Sequence, residues 1–155
     1  MNYAFLRTTA FASALLGASF AQASETAANA VMISEDLTVE KALTAASGDA
    51  ASGREIFANR KLGNCLACHE NDDLAELPFH GNVGPEMNGV ADRYEPAMLR
   101  TILVDSKKIF GDETIMPSFY RIKNGARPAK KFDGKTILSA QQVEDVLAYL
   151  LTLKE

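Results

Sequence analysis

Residues 63–71 read Gly63-Asn64-Cys65-Leu66-Ala67-Cys68-His69-Glu70-Asn71, or GNCLACHEN, and hold both cysteines of the chain and one of its two histidines. What Cys65 and Cys68 hold decides the fold. A disulfide between them would close too small a loop to staple a domain, and no further cysteine is available. Zinc would need four ligands, and Cys65, Cys68, His69 and His80 offer the types without the spacing of a finger or ribbon. A thioredoxin-like redox pair opens a helix after a strand, and no strand pattern precedes Cys65. What remains is C-x-x-C-H. There the two thiols add to the vinyl groups of a haem, and the adjacent His69 is brought beneath the iron as an axial ligand.

The amino terminus supports that chemistry. Residues 1–25 read MNYAFLRTTAFASALLGASFAQASE. Arg7 gives a weakly positive start, residues 8–20 form an apolar and small-residue run, and Ala21-Gln22-Ala23 matches an A-x-A cleavage site. The run falls short of the about 20 apolar residues that a membrane span needs. Residues 1–23 are therefore expected to be a cleaved export signal, with the mature chain starting at Ser24 in the periplasm. The formal charge of the 155-residue chain is −4. Mild acidity, with no basic stripe interleaved with aromatics, argues against nucleic acid. The length suits a single domain with a modest core.

The remaining pattern is helical. Asp49 can cap a helix over about 50–60 with Ile56 and Phe57 on its apolar face. Gly53 within it costs about 1 kcal/mol against alanine, which points to a close helix crossing. Ser139 and Gln142 form a capping box, and Val143, Val146, Leu147 and Leu150 then recur at helical spacing. A shorter helix is expected over 95–104 with Met98, Leu99 and Ile102 inward. Stretches 70–90, 105–118 and 120–136 read as loops, with a tight turn at Phe132-Asp133-Gly134-Lys135. Loops this long count against a compact domain unless a bound group supplies apolar mass for them to wrap. The expected fold is all-α, with three to four short helices and long loops around one covalent haem. An extension over 24–48 precedes a domain over 49–155.

Gly84-Pro85-Glu86-Met87-Asn88-Gly89, followed by Val90-Ala91-Asp92-Arg93, resembles the GPxLxG…R stretch of class I cytochromes c, with methionine at 87 where that family usually has leucine. Gly53, Phe57 and Tyr149 match the family's contact between N-terminal and C-terminal helices. The resemblance implies that the Pro85 carbonyl accepts a hydrogen bond from His69 Nδ1, fixing its tautomer. It also implies that Arg93 sits near a haem propionate. For the sixth iron position, Met116 in Thr-Ile-Met-Pro-Ser-Phe has the order and context of the family's Met-Pro ligand loop. The rival ligand is His80, eleven residues after His69. His69 and Met116 would then be the metal ligands, and Cys65, Cys68, Pro85 and Arg93 would complete the haem site. With both axial positions filled, the expected activity is electron transfer, with no catalytic residues on this chain.

Four longer stretches narrow the resemblance: GDAASGREIFANRKLGNCLACHEN, GNVGPEMNGVADRYEPAMLR, IMPSFYR and KTILSAQQVEDVLAYLLTLK. Together with the extension before Asp49 they are similar to SoxX, the family of small monohaem subunits of sulfur-oxidising SoxAX cytochromes. That resemblance implies a heterodimer with a SoxA subunit, acting as an L-cysteine S-thiosulfotransferase. The pair would conjugate thiosulfate to a cysteine of the carrier SoxYZ and pass electrons to a soluble cytochrome c. A free diffusible carrier is the alternative. The apolar residues Val31, Met32, Ile33, Leu37, Val39 and Leu43 of the extension could pack on their own domain or lie across a partner. An acidic run (Glu70, Asp72, Asp73, Glu76) and a basic one (Lys123, Arg127, Lys130, Lys131, Lys135) could steer a charged partner.

Overall fold

A computed structural model describes residues 24–155; the expected export signal lies outside the described residues. Four α-helices carry the fold: α1 over Ala50–Ala58, α2 over Val90–Arg93, α3 over Pro96–Phe110 and α4 over Ala140–Leu150. Short 3-10 turns occur at Ala28–Ala30, Cys65–Ala67, Asp72–Leu74 and Lys130–Phe132. No strand forms among the described residues, and none of their helices is long and apolar enough to cross a membrane.

Local chemistry sets the ends of α1 and α4. The Asp49 carboxylate accepts from Ser52 N at 2.6 Å, and this bond is the main reason its pKa is lowered. Ser139 and Gln142 form both halves of a capping box. The two helices cross closely. A Cβ on Gly53 would overlap the Asp145 backbone of α4 and stand 2.8 Å from Tyr149 Cβ. Only a glycine allows this approach. Beside it, Phe57 meets Tyr149 edge-on with ring centroids 5.7 Å apart, a geometry that favours aromatic pairs. Val143, Val146, Leu147 and Leu150 are all buried.

The extension packs on its own domain. Val39 and Leu43 are 3% and 1% exposed. Val39 N donates to Thr101 Oγ1 of α3 at 2.8 Å. Leu43 N donates to Glu144 Oε1 of α4 at 2.8 Å. Glu144 is itself paired with Arg100, whose Nε and Nη2 reach the two carboxylate oxygens at 2.9 and 3.1 Å, while Arg100 Nη1 bonds the Val39 carbonyl at 2.9 Å. This nearly buried pair therefore staples the extension, α3 and α4 together. Met32, by contrast, is 86% exposed.

Helix α3 departs from expectation in two respects. It runs to Phe110 rather than ending at 104, and at Asp105 the backbone is non-helical (φ −145°, ψ 80°) before the last turn resumes. Leu99 and Ile102 face inward as expected, but Met98 is only half-buried and stands outside the core. Residues 132–135 form the expected turn, with Lys135 N bonded to Phe132 O and Gly134 at φ 66°. The basic side chains over 123–135 are exposed.

Candidate haem site

His69 follows a tight turn. Asn64 leaves the residues after α1 in the left-handed region (φ 51°), and the 3-10 turn Cys65–Ala67 begins. Cys68 N and His69 N both donate to the Cys65 carbonyl at 3.0 Å, so the two cysteines and His69 lie on one closed turn. A second segment is fastened along it: Gly81 N bonds Leu66 O at 2.9 Å, Gly84 N bonds Cys68 O at 2.8 Å, and Met87 N bonds Glu70 O at 2.8 Å.

That fastening places the Pro85 carbonyl 2.7 Å from His69 Nδ1. A carbonyl can only accept, so Nδ1 carries the proton and Nε2 keeps its lone pair. Nε2 makes no hydrogen bond among the described residues. Gly84 lies against the same ring, and a Cβ there would come within 2.6 Å of Nδ1. The imidazole is thus held by a carbonyl at one nitrogen and by bare backbone at its side. Arg93 donates to the carbonyls of Asn88 and Glu86, the latter at 2.6 Å, which clamps the turn that follows Pro85.

Both nitrogens of His80 are engaged with backbone. Its Nδ1 accepts from Asn71 N at 3.3 Å and its Nε2 donates to Leu74 O at 3.0 Å. His80 pins the 71–80 loop to itself and offers no free lone pair to a metal. The loop is also tied to the helix crossing. Asn71, fully buried, donates to Tyr149 Oη at 2.9 Å, and Tyr149 donates to Asp73 at 2.7 Å. Arg54 of α1 bonds Asp73 and Glu76, each at 2.8 Å. The Arg54 hydrogen bond, foremost, holds the Asp73 and Glu76 carboxyls below their ordinary range, and the Tyr149 hydroxyl adds to the effect at Asp73. Burial, then the Asp73 bond, raises the Tyr149 phenol.

Met116 is half-buried against the core on the loop after α3. The irregularity at Asp105 explains how the loop is held. With Asp105 out of helical geometry, the Leu103 and Val104 carbonyls accept instead from Phe119 N at 3.0 Å and Tyr120 N at 3.3 Å. Ser106, fully buried, donates to the Met116 carbonyl at 2.7 Å. Ser118 donates to the Asp105 carboxylate at 2.8 Å, and Arg121 pairs with it at 3.2 Å. Lys107 bonds the Thr114 carbonyl further out.

The residues fit a covalent haem. The two cysteines are free thiols on one turn. Burial pushes the Cys65 thiol up to about 12, so it is held as the protonated thiol. Among the described residues no cluster of three or more His, Cys, Asp or Glu could hold a metal ion by itself. His69 offers one oriented lone pair and Met116 a thioether. The segment fastened along the His69 turn and the loop that carries Met116 each present a bare aliphatic chain: Val83 is 64% exposed and Ile115 is 77% exposed.

The sequence alone assigns no role to Gly84, Ser106 or Asp105. Gly84 stands in the GP motif, but its packing on the imidazole requires the 66–87 pairing. For Ser106 and Asp105 the sequence carries no signal.

The comparisons with known proteins agree with this geometry. The cytochrome c family model matches residues 50–154. A solved structure described as SoxXA from P. pantotrophus matches with a TM-score of 0.77 at 41% identity, over 85% of this chain and 100% of that one. No curated protein matches by sequence. A cytochrome c domain implies a covalently bound haem c, and Cys65, Cys68 and His69 supply its attachment motif. The chain belongs to the cytochrome c family and, within it, to the SoxX-type cytochromes.

Proposed function

We propose that this chain is the electron-transfer subunit of a periplasmic SoxAX complex. The observation that carries the reading is its 41% identity to a SoxXA chain along that chain's whole length. The reaction assigned to the complex joins thiosulfate to a cysteine of the carrier SoxYZ. A sulfur–sulfur bond forms between the outer thiosulfate sulfur and the cysteine sulfur, the thiol proton is released, and an electron pair is removed. The partner SoxA performs this conjugation; the present chain takes the electrons singly and passes them to a soluble cytochrome c.

When bound, the haem supplies one-electron exchange between ferric and ferrous iron. The chain's residues provide the rest. Cys65 and Cys68 would form the thioether links. His69 presents Nε2, kept in place by Pro85 and Gly84. Met116 would supply its thioether to the iron, a soft donor that favours the ferrous state. Arg93, whose guanidinium has donors beyond the two it spends on the 86–88 turn, is assigned to a propionate. With His69 and Met116 both holding the iron, substrate would have no coordination site there, and bond-making is assigned to the partner.

Purification from periplasm in mild salt, followed by haem staining of a gel, tests this reading. A stoichiometric second haem protein, and thiosulfate-dependent reduction of this chain in its presence, is the expected result. A lone monohaem species, with the partner expressed, would make it a diffusible carrier.

A further inference from the structure

We infer that Ser106 is a positioning residue for the sixth ligand and sets how firmly Met116 is held. The inference rests on the assignment of Met116 as that ligand. Met116 lies forty-seven residues beyond His69, on a loop that gains no rigidity from the C-x-x-C-H turn. A thioether is a weak ligand, so its hold on iron depends on how little freedom its backbone has when it lets go.

The structure supplies that restraint at one place. Ser106 is fully buried, and its hydroxyl donates at 2.7 Å to the carbonyl of Met116 itself. Ser106 stands immediately after Asp105, where α3 leaves helical geometry. The same irregularity frees the carbonyls that capture Phe119 N and Tyr120 N, so residues 116–120 are seated along the bend. Ser118 approaches Ser106 at 3.5 Å and donates to Asp105, which closes the polar cluster. On the outer side Tyr120 donates to the Thr26 carbonyl at 2.7 Å and to Glu25 at 3.0 Å. The first residues of the extension thus cover the loop. Among these bonds, only the Ser106 hydroxyl acts on the ligand residue directly. Without it the Met116 carbonyl loses its partner, and the loop gains conformations in which the thioether is withdrawn.

The test compares haem-loaded wild type with Ser106→Ala, Ser106→Thr and Thr101→Val. Thr101 is equally buried on α3, but it bonds the extension at Val39 and makes no bond to the Met116 loop. Three quantities are followed: displacement of the sixth ligand by imidazole, the sulfur-to-iron charge-transfer band of the ferric protein, and thermal stability. Ser106→Ala should bind imidazole about tenfold more tightly, as expected from losing one hydrogen bond of ordinary net worth. It should also weaken the charge-transfer band. Ser106→Thr, which keeps the hydroxyl, should lie near wild type. Thr101→Val should lower stability and leave imidazole affinity unchanged. Equal imidazole affinity in Ser106→Ala and wild type would overturn the proposal, as would equal increases in Ser106→Ala and Thr101→Val. Met116→Ala separates the two claims: a charge-transfer band that survives this change refutes Met116 as ligand, and with it the role of Ser106. A band lost in Met116→Ala but untouched in Ser106→Ala refutes Ser106 alone.

Discussion

The two loops that bear the proposed axial ligands are held by different kinds of bond. On the histidine side, backbone groups of 66–70 and 81–87 pair with one another, and a carbonyl and a glycine finish the imidazole's seat. On the methionine side, backbone pairing to α3 comes at Phe119 and Tyr120, while Met116 itself is held by the buried Ser106 hydroxyl beside a helix irregularity. The histidine is seated by backbone groups and the methionine by a side-chain hydroxyl. The histidine side should therefore tolerate polar substitutions and fail on added bulk, while the methionine side should do the reverse.

The largest effect expected bears on neither loop and asks whether they share a scaffold. Arg100→Ala leaves Glu144 nearly buried with only the Leu43 amide as partner. Removing one member of such a pair costs about 3–5 kcal/mol. Urea unfolding should show that loss while imidazole affinity stays near wild type. A large gain in imidazole affinity would mean that the methionine loop answers to global stability, and the contrast between the sides would fall.

Gly84→Ala comes next, at about 1–3 kcal/mol for overpacking against a fixed ring. The added methyl must move the His69 ring or part Gly84 from Cys68. Expected results are a lowered yield of haem-loaded protein and a shifted reduction potential. Wild-type potential and stability in Gly84→Ala would show that the histidine loop is looser than its hydrogen bonds imply.

The smallest effect concerns the network that joins exposed Arg54, Asp73 and Glu76 to the buried Tyr149. Asp73 and Glu76 have lowered carboxyl pKa values in the folded chain, chiefly through Arg54. Their contribution is present above the unfolded carboxylate range of about 4 and is lost as pH falls through the lower folded values. Tyr149 is raised, chiefly by burial. Unfolded tyrosine ionises near pH ~10, so stability declines as pH rises beyond that point. Because the Arg54 and Asp73 side chains are 39% and 45% exposed, Asp73→Asn should cost below about 1 kcal/mol near neutrality. It should flatten the acid limb of stability against pH in moderate salt. An unchanged acid limb would remove this network from the account of how the 71–80 loop is tied down.

What could be read from the sequence divides by range along the chain. The caps at Asp49 and Ser139 and the crossing at Gly53 are short-range signals, and the observed helices begin and cross there. The attachment motif is a contiguous chemical pattern. The helix expected to stop at 104 does leave helical geometry at Asp105, but its last turn resumes because loop 111–121 bonds back onto it. No local propensity contains that information. The Arg100–Glu144 pair and the His80 bonds were hidden for the same reason, since each needs loops or helices brought together by the fold. Apolar alternation in the extension could not tell self from partner; the burial of Val39 and Leu43 seats those residues on their own domain.

The most direct test of the two-sided site is the absorption and electron paramagnetic resonance spectrum of the ferric, haem-loaded protein, recorded for wild type, Met116→Ala and His80→Ala. The account predicts a low-spin, six-coordinate wild type with a sulfur-to-iron band, lost in Met116→Ala and retained in His80→Ala. A wild type without that band, or one whose low-spin signature disappears with His80 and survives loss of Met116, would contradict it.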